Sequence, residues 1–296
     1  MSAAPATRSL AGRAALITGA SEGLGLAIAR SFVLAGADVF LCARDAARLE
    51  EARRSLAALS SKTQRVLTTP ADVSREPDVV RVTTAALAAF PSLQVLVNNA
   101  GVYGPMGSIE QVEWTAWTRA IEVNLFGSVL MARALVPHFK AARNGKIIQL
   151  SGAGATKPLP NISAYAASKA AVVRFAETLA EELRPYQVDV NAVAPGALNT
   201  RMLDEVIEAG PETVGASFYA RALEQESTGG TPLERPAELC VFLASAASDG
   251  ITGKLISAVW DRWESLAEHR AELDGTDVYT IRRILPEDRG LSWDVP

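Results

Sequence analysis

The sequence predicts an α/β chain folded as a doubly wound parallel sheet. Short apolar runs alternate with helical patterns from near the N-terminus to about residue 260. Such alternation builds strand–helix–strand units, whose strands pair in parallel under helices on both faces. The inner runs, Val95-Leu96-Val97 above all, are apolar without a polar partner every second residue, as strands covered on both faces are. A cluster of glycines lies between the first apolar run and the first helical stretch.

The elements follow in order. Residues 14–18 form a strand ending in glycines, and residues 24–35 repeat apolar side chains at helical spacing until Gly36 stops them. Residues 38–43 and 66–70 are the second and third strands, followed by helices over 46–59 and 78–90. The fourth strand is 95–97, the fifth 146–150 and the sixth 188–193. Long helical stretches run over 114–139 and 165–183. A further helix over 233–244 leads to a last strand at 255–259. Together residues 11–259 make one domain.

Three segments stand outside this rhythm. Residues 1–10 read as a mobile N-terminal arm. Residues 201–232 are too long for an ordinary connection. They carry Met202, Leu203, Phe218 and Tyr219 with Gly215, Gly229 and Gly230, and read as a segment that covers a substrate. Arg201 and Arg221 there either meet an anionic part of a substrate or pair with Glu205, Glu208, Glu224 and Glu226. Residues 260–296 hold Trp260, Trp263, Tyr279 and Trp293. That is too aromatic for a disordered tail, so this C-terminal extension packs on the body or on a neighbouring subunit.

Composition narrows the function classes. Of 296 residues 49% are hydrophobic and 21% charged, and the formal net charge is −4, so a large core forms and no basic footprint for nucleic acid is present. No apolar run approaches the roughly 20 residues of a membrane span, and the N-terminus lacks the apolar stretch of a secretory signal. The expectation is a cytoplasmic protein with neither membrane nor nucleic-acid partner. Two Cys and two His argue against a metal site; Cys42 and Cys240 read as buried free thiols.

The glycine cluster is Thr18-Gly19-Ala20-Ser21-Glu22-Gly23-Leu24-Gly25. Glycines permit a sharp turn and close approach of a ligand. The free N–H groups and positive dipole end of the following helix suit a pyrophosphate. The spacing is GxxxGxG, not the common GxGxxG.

Tyr165-Ala166-Ala167-Ser168-Lys169 puts a phenol and an ammonium on one helical face. A nearby cation favours phenolate and draws the phenol towards use as a proton donor or acceptor near neutral pH. The phosphate loop, Asp72-Val73, Asn98-Asn99-Ala100-Gly101, Asn124, the Tyr165/Lys169 pair and Pro195-Gly196 with Thr200 occur in this order.

Over residues 12–259 this order resembles the single-domain, Rossmann-type short-chain dehydrogenases/reductases. The resemblance implies Tyr165 as general acid/base, and Lys169 as the group that lowers its pKa and holds the nicotinamide ribose. It implies Asn124 at a helix kink with a water path to Lys169. Gly19, Ser21, Glu22, Gly23, Leu24 and Gly25 would cradle the phosphates. Asp72 and Val73 would border the adenine, and Asn99, Ala100 and Gly101 the adenosine ribose side. Pro195, Gly196 and Thr200 would face the nicotinamide end.

The family pattern breaks twice. The serine that usually holds the substrate oxygen, 13 residues before the tyrosine, is replaced by Gly152. Ser151, one residue earlier, is the candidate substitute, with Thr156 and Ser163 behind it. The glycine pair that commonly follows the last strand is absent from Ser257-Ala258-Val259-Trp260.

The expected function is hydride transfer between a nicotinamide cofactor and a carbonyl or alcohol substrate. The alternatives are a nucleotide-binding sensor or scaffold and a cofactor-retaining epimerase or dehydratase. Arg44, after the second strand, stands where an adenosine 2′-phosphate is read and favours NADP(H) over NAD(H), while Glu22 opposes that choice. The long helices imply, by the same resemblance, a homodimer or homotetramer.

Overall fold

The computed structural model describes residues 8–293. Seven parallel strands lie in the order β3-β2-β1-β4-β5-β6-β7. They are β1 (Ala14–Thr18), β2 (Asp38–Ala43), β3 (Val66–Pro70), β4 (Val95–Asn98), β5 (Gly145–Leu150), β6 (Val188–Ala194) and β7 (Leu255–Ser257). Side chains alternate across the sheet. Ala15, Ile17, Val39 and Leu41 join one core with α1 (Gly23–Leu34), α2 (Ala46–Ala57) and α9 (Glu234–Ala244). Ala14, Leu16, Phe40 and Cys42 join the other with α3 (Glu76–Ala89), α5 (Gly127–Ala142) and α6 (Ser163–Leu183). This is the doubly wound α/β fold expected.

Winding reverses between β1 and β4, the central neighbours. Connections from β1 run one way along the sheet and those from β4 the other, which leaves a crevice beyond the carboxyl ends of these strands. Local chemistry holds the elements that frame it. Asp45 caps α2 by accepting from the N–H groups of Ala47 and Arg48 at 2.9 and 3.0 Å. Pro77 stands in the first turn of α3, where a missing N–H costs nothing.

The stretch 114–139 is not one uniform helix. Trp114–Ile121 is α4, Glu122–Phe126 is a π-helical turn, and α5 follows. The 29 residues from Trp114 to Ala142 have the length and apolarity of a membrane span, which the short runs of the sequence do not suggest. Met131, Ala132, Leu135 and Phe139 spend that apolarity on the core beneath the sheet.

The described residues of the outlying segments have defined places in the fold. Of the arm expected over 1–10, residues 1–7 lie outside the described residues. Leu10 is fully buried, and its N–H donates to Ala35 O at 3.0 Å. Residues 201–232 form α7 (Arg201–Val214) and α8 (Ala216–Thr228), with a non-helical Gly210 kinking α7 before Pro211. The C-terminal extension packs on the body: Trp263, Leu266 and Leu273, the last in the short α10 (Arg270–Leu273), enter the core beside α9. Leu255 N donates to Tyr279 O at 2.7 Å, so the extension also pairs with the outer edge of β7. Cys42 and Cys240 are buried free thiols; burial pushes the Cys42 thiol up to about 12 and raises Cys240 as well.

Candidate active site

A cavity of about 910 Å³ occupies the crevice. Every residue expected at the site lines it except Asn124: Gly19 and Ser21 to Gly25 from the loop, Arg44, Asp72 and Val73, Asn99 to Gly101, Ser151, Tyr165, Lys169, Pro195, Gly196 and Thr200.

The loop end is suited to a diphosphate. No side chain caps α1, so its first N–H groups are left to a ligand. Gly25 is there for space. A Cβ would overlap the carbonyl oxygen of Gly19 and stand about 2.5 Å from Asn99 Nδ2. Asn99 turns its amide onto the loop, donating to Thr18 O and Gly19 O at 3.0 Å each. Thr18 Oγ1 in turn accepts from the N–H groups of Asn99 and Ala100 at 3.0 and 3.1 Å. The β1 and β4 exits are thereby stapled together. Thr18 ends a strand and carries no motif of its own, so the sequence hid this role.

At the adenosine end Asp72 accepts from Ser74 Oγ and pairs with Arg119. Burial raises the Asp72 carboxyl, and the Ser74 and Arg119 contacts more than offset it, holding it below its usual range. Arg44 and, one helical turn on, Arg48 flank the cavity. Glu22 bridges Arg48 at 2.6 Å and Arg201 at 2.8 Å, joining the loop to both α2 and α7. Arg201 also pairs with Glu205 at 3.4 Å. Of the two roles open to Arg201, pairing with a glutamate is the one observed. Arg221 lies over the Phe218 ring at 5.8 Å.

At the inner end α6 carries Tyr165 and Lys169, both buried. Lys169 Nζ donates to Leu150 O at 2.8 Å and lies 5.7 Å from the Tyr165 ring centre. Burial lowers the Lys169 ammonium to about 8. Burial, with Tyr103 alongside, raises the Tyr165 phenol above its ordinary 10.0. The lowering of Tyr165 by Lys169 expected from the resemblance is therefore not seen in the protein alone. Loss of water penalises the phenolate, and the Tyr103 phenol beside it adds to the rise. Asn124 sits in the π turn behind the cavity. Its Oδ1 accepts from Val102 N at 2.8 Å, and its Nδ2 donates to Val102 O and Ser168 Oγ at 2.9 Å each.

Gly152 touches Tyr165 directly. A Cβ there would overlap the phenol oxygen and stand 2.9 Å from Cζ. Ser151 faces the same cavity, and its buried Oγ has no hydrogen-bond partner among the described residues. Thr156 and Ser163 do not line the cavity; the Ser163 hydroxyl accepts from Trp117 Nε1 at 3.0 Å.

A family model described as short chain dehydrogenase matches residues 13–210. The chain belongs to the short-chain dehydrogenase/reductase family. This family member is 34% identical to the L-fucose dehydrogenase of Oryctolagus cuniculus, over 80% of this chain and 81% of that one. It is 34% identical to the cis-4-hydroxycyclohexanecarboxylate dehydrogenase of Sinomonas cyclohexanicum, over 83% and 94% of the two chains. Its fold matches a gluconate 5-dehydrogenase from Burkholderia cenocepacia J2315 in complex with NADP and tartrate, with a TM-score of 0.74 and 27% identity over 85% and 95% of the chains. As a short-chain dehydrogenase/reductase it is a nicotinamide-dependent oxidoreductase that transfers hydride to or from a carbonyl or alcohol group.

The cavity of this dehydrogenase/reductase is also lined by residues that the sequence did not single out, among them Arg48, Val102, Tyr103 and Leu198. Arg48 lies in the first turn of α2, just after the connection that carries Arg44, and was legible in principle. Tyr103 comes two residues after the Asn98–Gly101 motif in an irregular segment, where no periodicity shows which way a side chain turns.

Proposed function

We propose that the protein is a carbonyl reductase or alcohol dehydrogenase that favours NADP(H) over NAD(H), with Tyr165 as general acid in reduction and general base in oxidation. One observation carries this reading: a buried phenol, held in its protonated form, closes the inner end of a cleft lined by a phosphate loop. A protonated tyrosine at neutral pH is a proton donor to a carbonyl oxygen. Lys169, brought to about 8 by burial, is poised near neutrality to exchange a proton with it. Ser151, with its hydroxyl unpaired, is suited to give the substrate oxygen the hydrogen bond that Gly152 lacks. Asn124 holds the backbone at Val102 that borders this end.

The uncapped start of α1 and the glycine-lined loop fit a dinucleotide diphosphate. Gly19 to Gly25 would hold its phosphates, Asp72 and Val73 its adenine side, and Pro195, Gly196 and Thr200 its nicotinamide end. When bound, the nicotinamide supplies or accepts the hydride. Arg44 at the adenosine end supports the NADP(H) preference, since a guanidinium group suits a phosphate dianion. Glu22, the opposing charge, is already engaged by Arg48 and Arg201.

Two measurements test the reading. Tyr165→Phe should lower turnover by roughly 10²–10⁴ while leaving cofactor affinity nearly unchanged; parental turnover in the variant refutes the role. NADPH should bind more tightly than NADH, and Arg44→Ala should narrow the gap; tighter NADH binding refutes the preference.

A further inference from the structure

Resting on the oxidoreductase reading, we propose that the substrate chamber takes a small, neutral, largely apolar ketone or secondary alcohol, and that Tyr103 sets this choice. Most of the cavity wall belongs to residues expected along the cofactor. Beside Tyr165 and Ser151 the wall includes Val102, Tyr103, Leu198 and Met202, with the polar Asn199 and Arg201 next to them. The Tyr103 ring stands edge-on to Tyr165, with centres 4.7 Å apart and planes at 60°. On its other side it packs into the small core of the covering segment, against Leu203, Val206 and Val214. Tyr103 therefore touches both the proton-transferring phenol and the cover. Burial and the charge of Glu205 raise its phenol, so it stays neutral at working pH.

Most of the polar groups at this end already have partners. Arg201 is paired with Glu22 and Glu205. Lys169 donates to Leu150 O. The Asn199 amide donates to Gln225 O at 3.3 Å, and its Oδ1 accepts from Gln225 Nε2 at 3.2 Å. What remains is Ser151 with Tyr165, enough for one substrate oxygen, and the lone hydroxyl of Tyr103. A carboxylate would lose its hydration and find Lys169, already turned to Leu150 O, as its one buried cation, and a polyol would leave further hydroxyls unpaired against the apolar part of the wall. Discrimination of this kind, unpaired polar groups against a site that cannot meet them, is large.

The test uses the full chain with NADPH and NADH and three probes: cyclohexanone, its anionic counterpart 4-oxocyclohexanecarboxylate, and a ketose, fructose. The neutral ring should exceed both others in kcat/KM by about 100-fold or more. Tyr103→Ala should raise KM for cyclohexanone about tenfold, with kcat less affected, and reduce the preference for it over the anion. Tyr103→Leu, which keeps an apolar wall, should lose less. Cofactor affinity measured on each variant reports whether the site is intact. If the anion or the ketose is the better substrate, the substrate class is wrong and the oxidoreductase reading stands. If Tyr103→Ala binds cofactor normally and keeps the parental KM and preference, the role of Tyr103 is wrong. If no probe is turned over with either cofactor, the inference falls together with the assignment of Tyr165 beneath it.

Discussion

Gly152 has an extended backbone, φ −175° and ψ 173°, which any residue adopts. Its missing side chain is therefore a matter of space, and the space is filled by the Tyr165 hydroxyl. Restoring the family's usual serine should not restore anything. Gly152→Ser must push Tyr165 aside or strain the backbone before the 3-10 turn at residues 153–155, at an overpacking cost of about 1–3 kcal/mol. Displacement of a reacting group by an ångström costs on the order of 10²-fold in rate. Gly152→Ser should thus lower both kcat and the denaturant midpoint; a rise in kcat at unchanged stability would count against the contact. The sequence shows the departure at 152 plainly. It does not show that Tyr165 has moved into the vacancy, because residues 13 apart on a strand exit and a helix meet only through the packing of α6 on the sheet.

Two elements invite tests of their own. The extension after β7 is anchored by Trp263, which is 6% exposed. Its ring lies 5.8 Å from Phe242 of α9 and 4.6 Å from the Arg235 guanidinium, and its Nε1 donates to Ala258 O at 3.3 Å. Trp263→Ala should cost about 3–5 kcal/mol, read from chemical denaturation; a change below 1 kcal/mol would mean that the extension is only loosely held. The pair α7 and α8 is tied to the loop through Glu22 and Arg201 and rests on Tyr103 and Met106. Cofactor with substrate should slow amide exchange in residues 201–232 more than in α2. Equal protection in both, at confirmed saturation, argues against a cover that closes. The sequence marked residues 201–232 by their length and by the apolar, aromatic and glycine residues they carry. Its contacts with Glu22 and Tyr103, residues remote in the chain, could not be read from it.

At the scale of the whole molecule, apolar surface remains after the two cores are filled. Trp114 and Phe126 are 66% and 51% exposed along the α4–α5 stretch. Trp114 stacks on Trp117 with ring centres 5.3 Å apart. Exposed apolar patches of this kind mark association surfaces. The expected species is a homodimer or homotetramer, measured by light scattering at micromolar concentration, where a monomer would refute it. The extension already covers the β7 edge within the chain.

What the sequence by itself determined is what local patterning encodes. Strand boundaries at β1, β2 and β3, the helices between them and the parallel architecture all follow from apolar periodicity and from glycine and proline punctuation. The phosphate loop and the Tyr165–Lys169 pair are contiguous in the chain, so their geometry is set by one turn and one helix. Tertiary structure decided whatever depends on residues distant in sequence. It raised Tyr165 and lowered Lys169, because burial is a property of the packed site and loss of water disfavours the charged form of each. It paired Arg201 with Glu22, set Tyr103 against Tyr165, left Ser151 unpaired at the cavity and folded the extension onto the free sheet edge. Each of these is a contact between elements whose relative placement is fixed only once both faces of the sheet are covered.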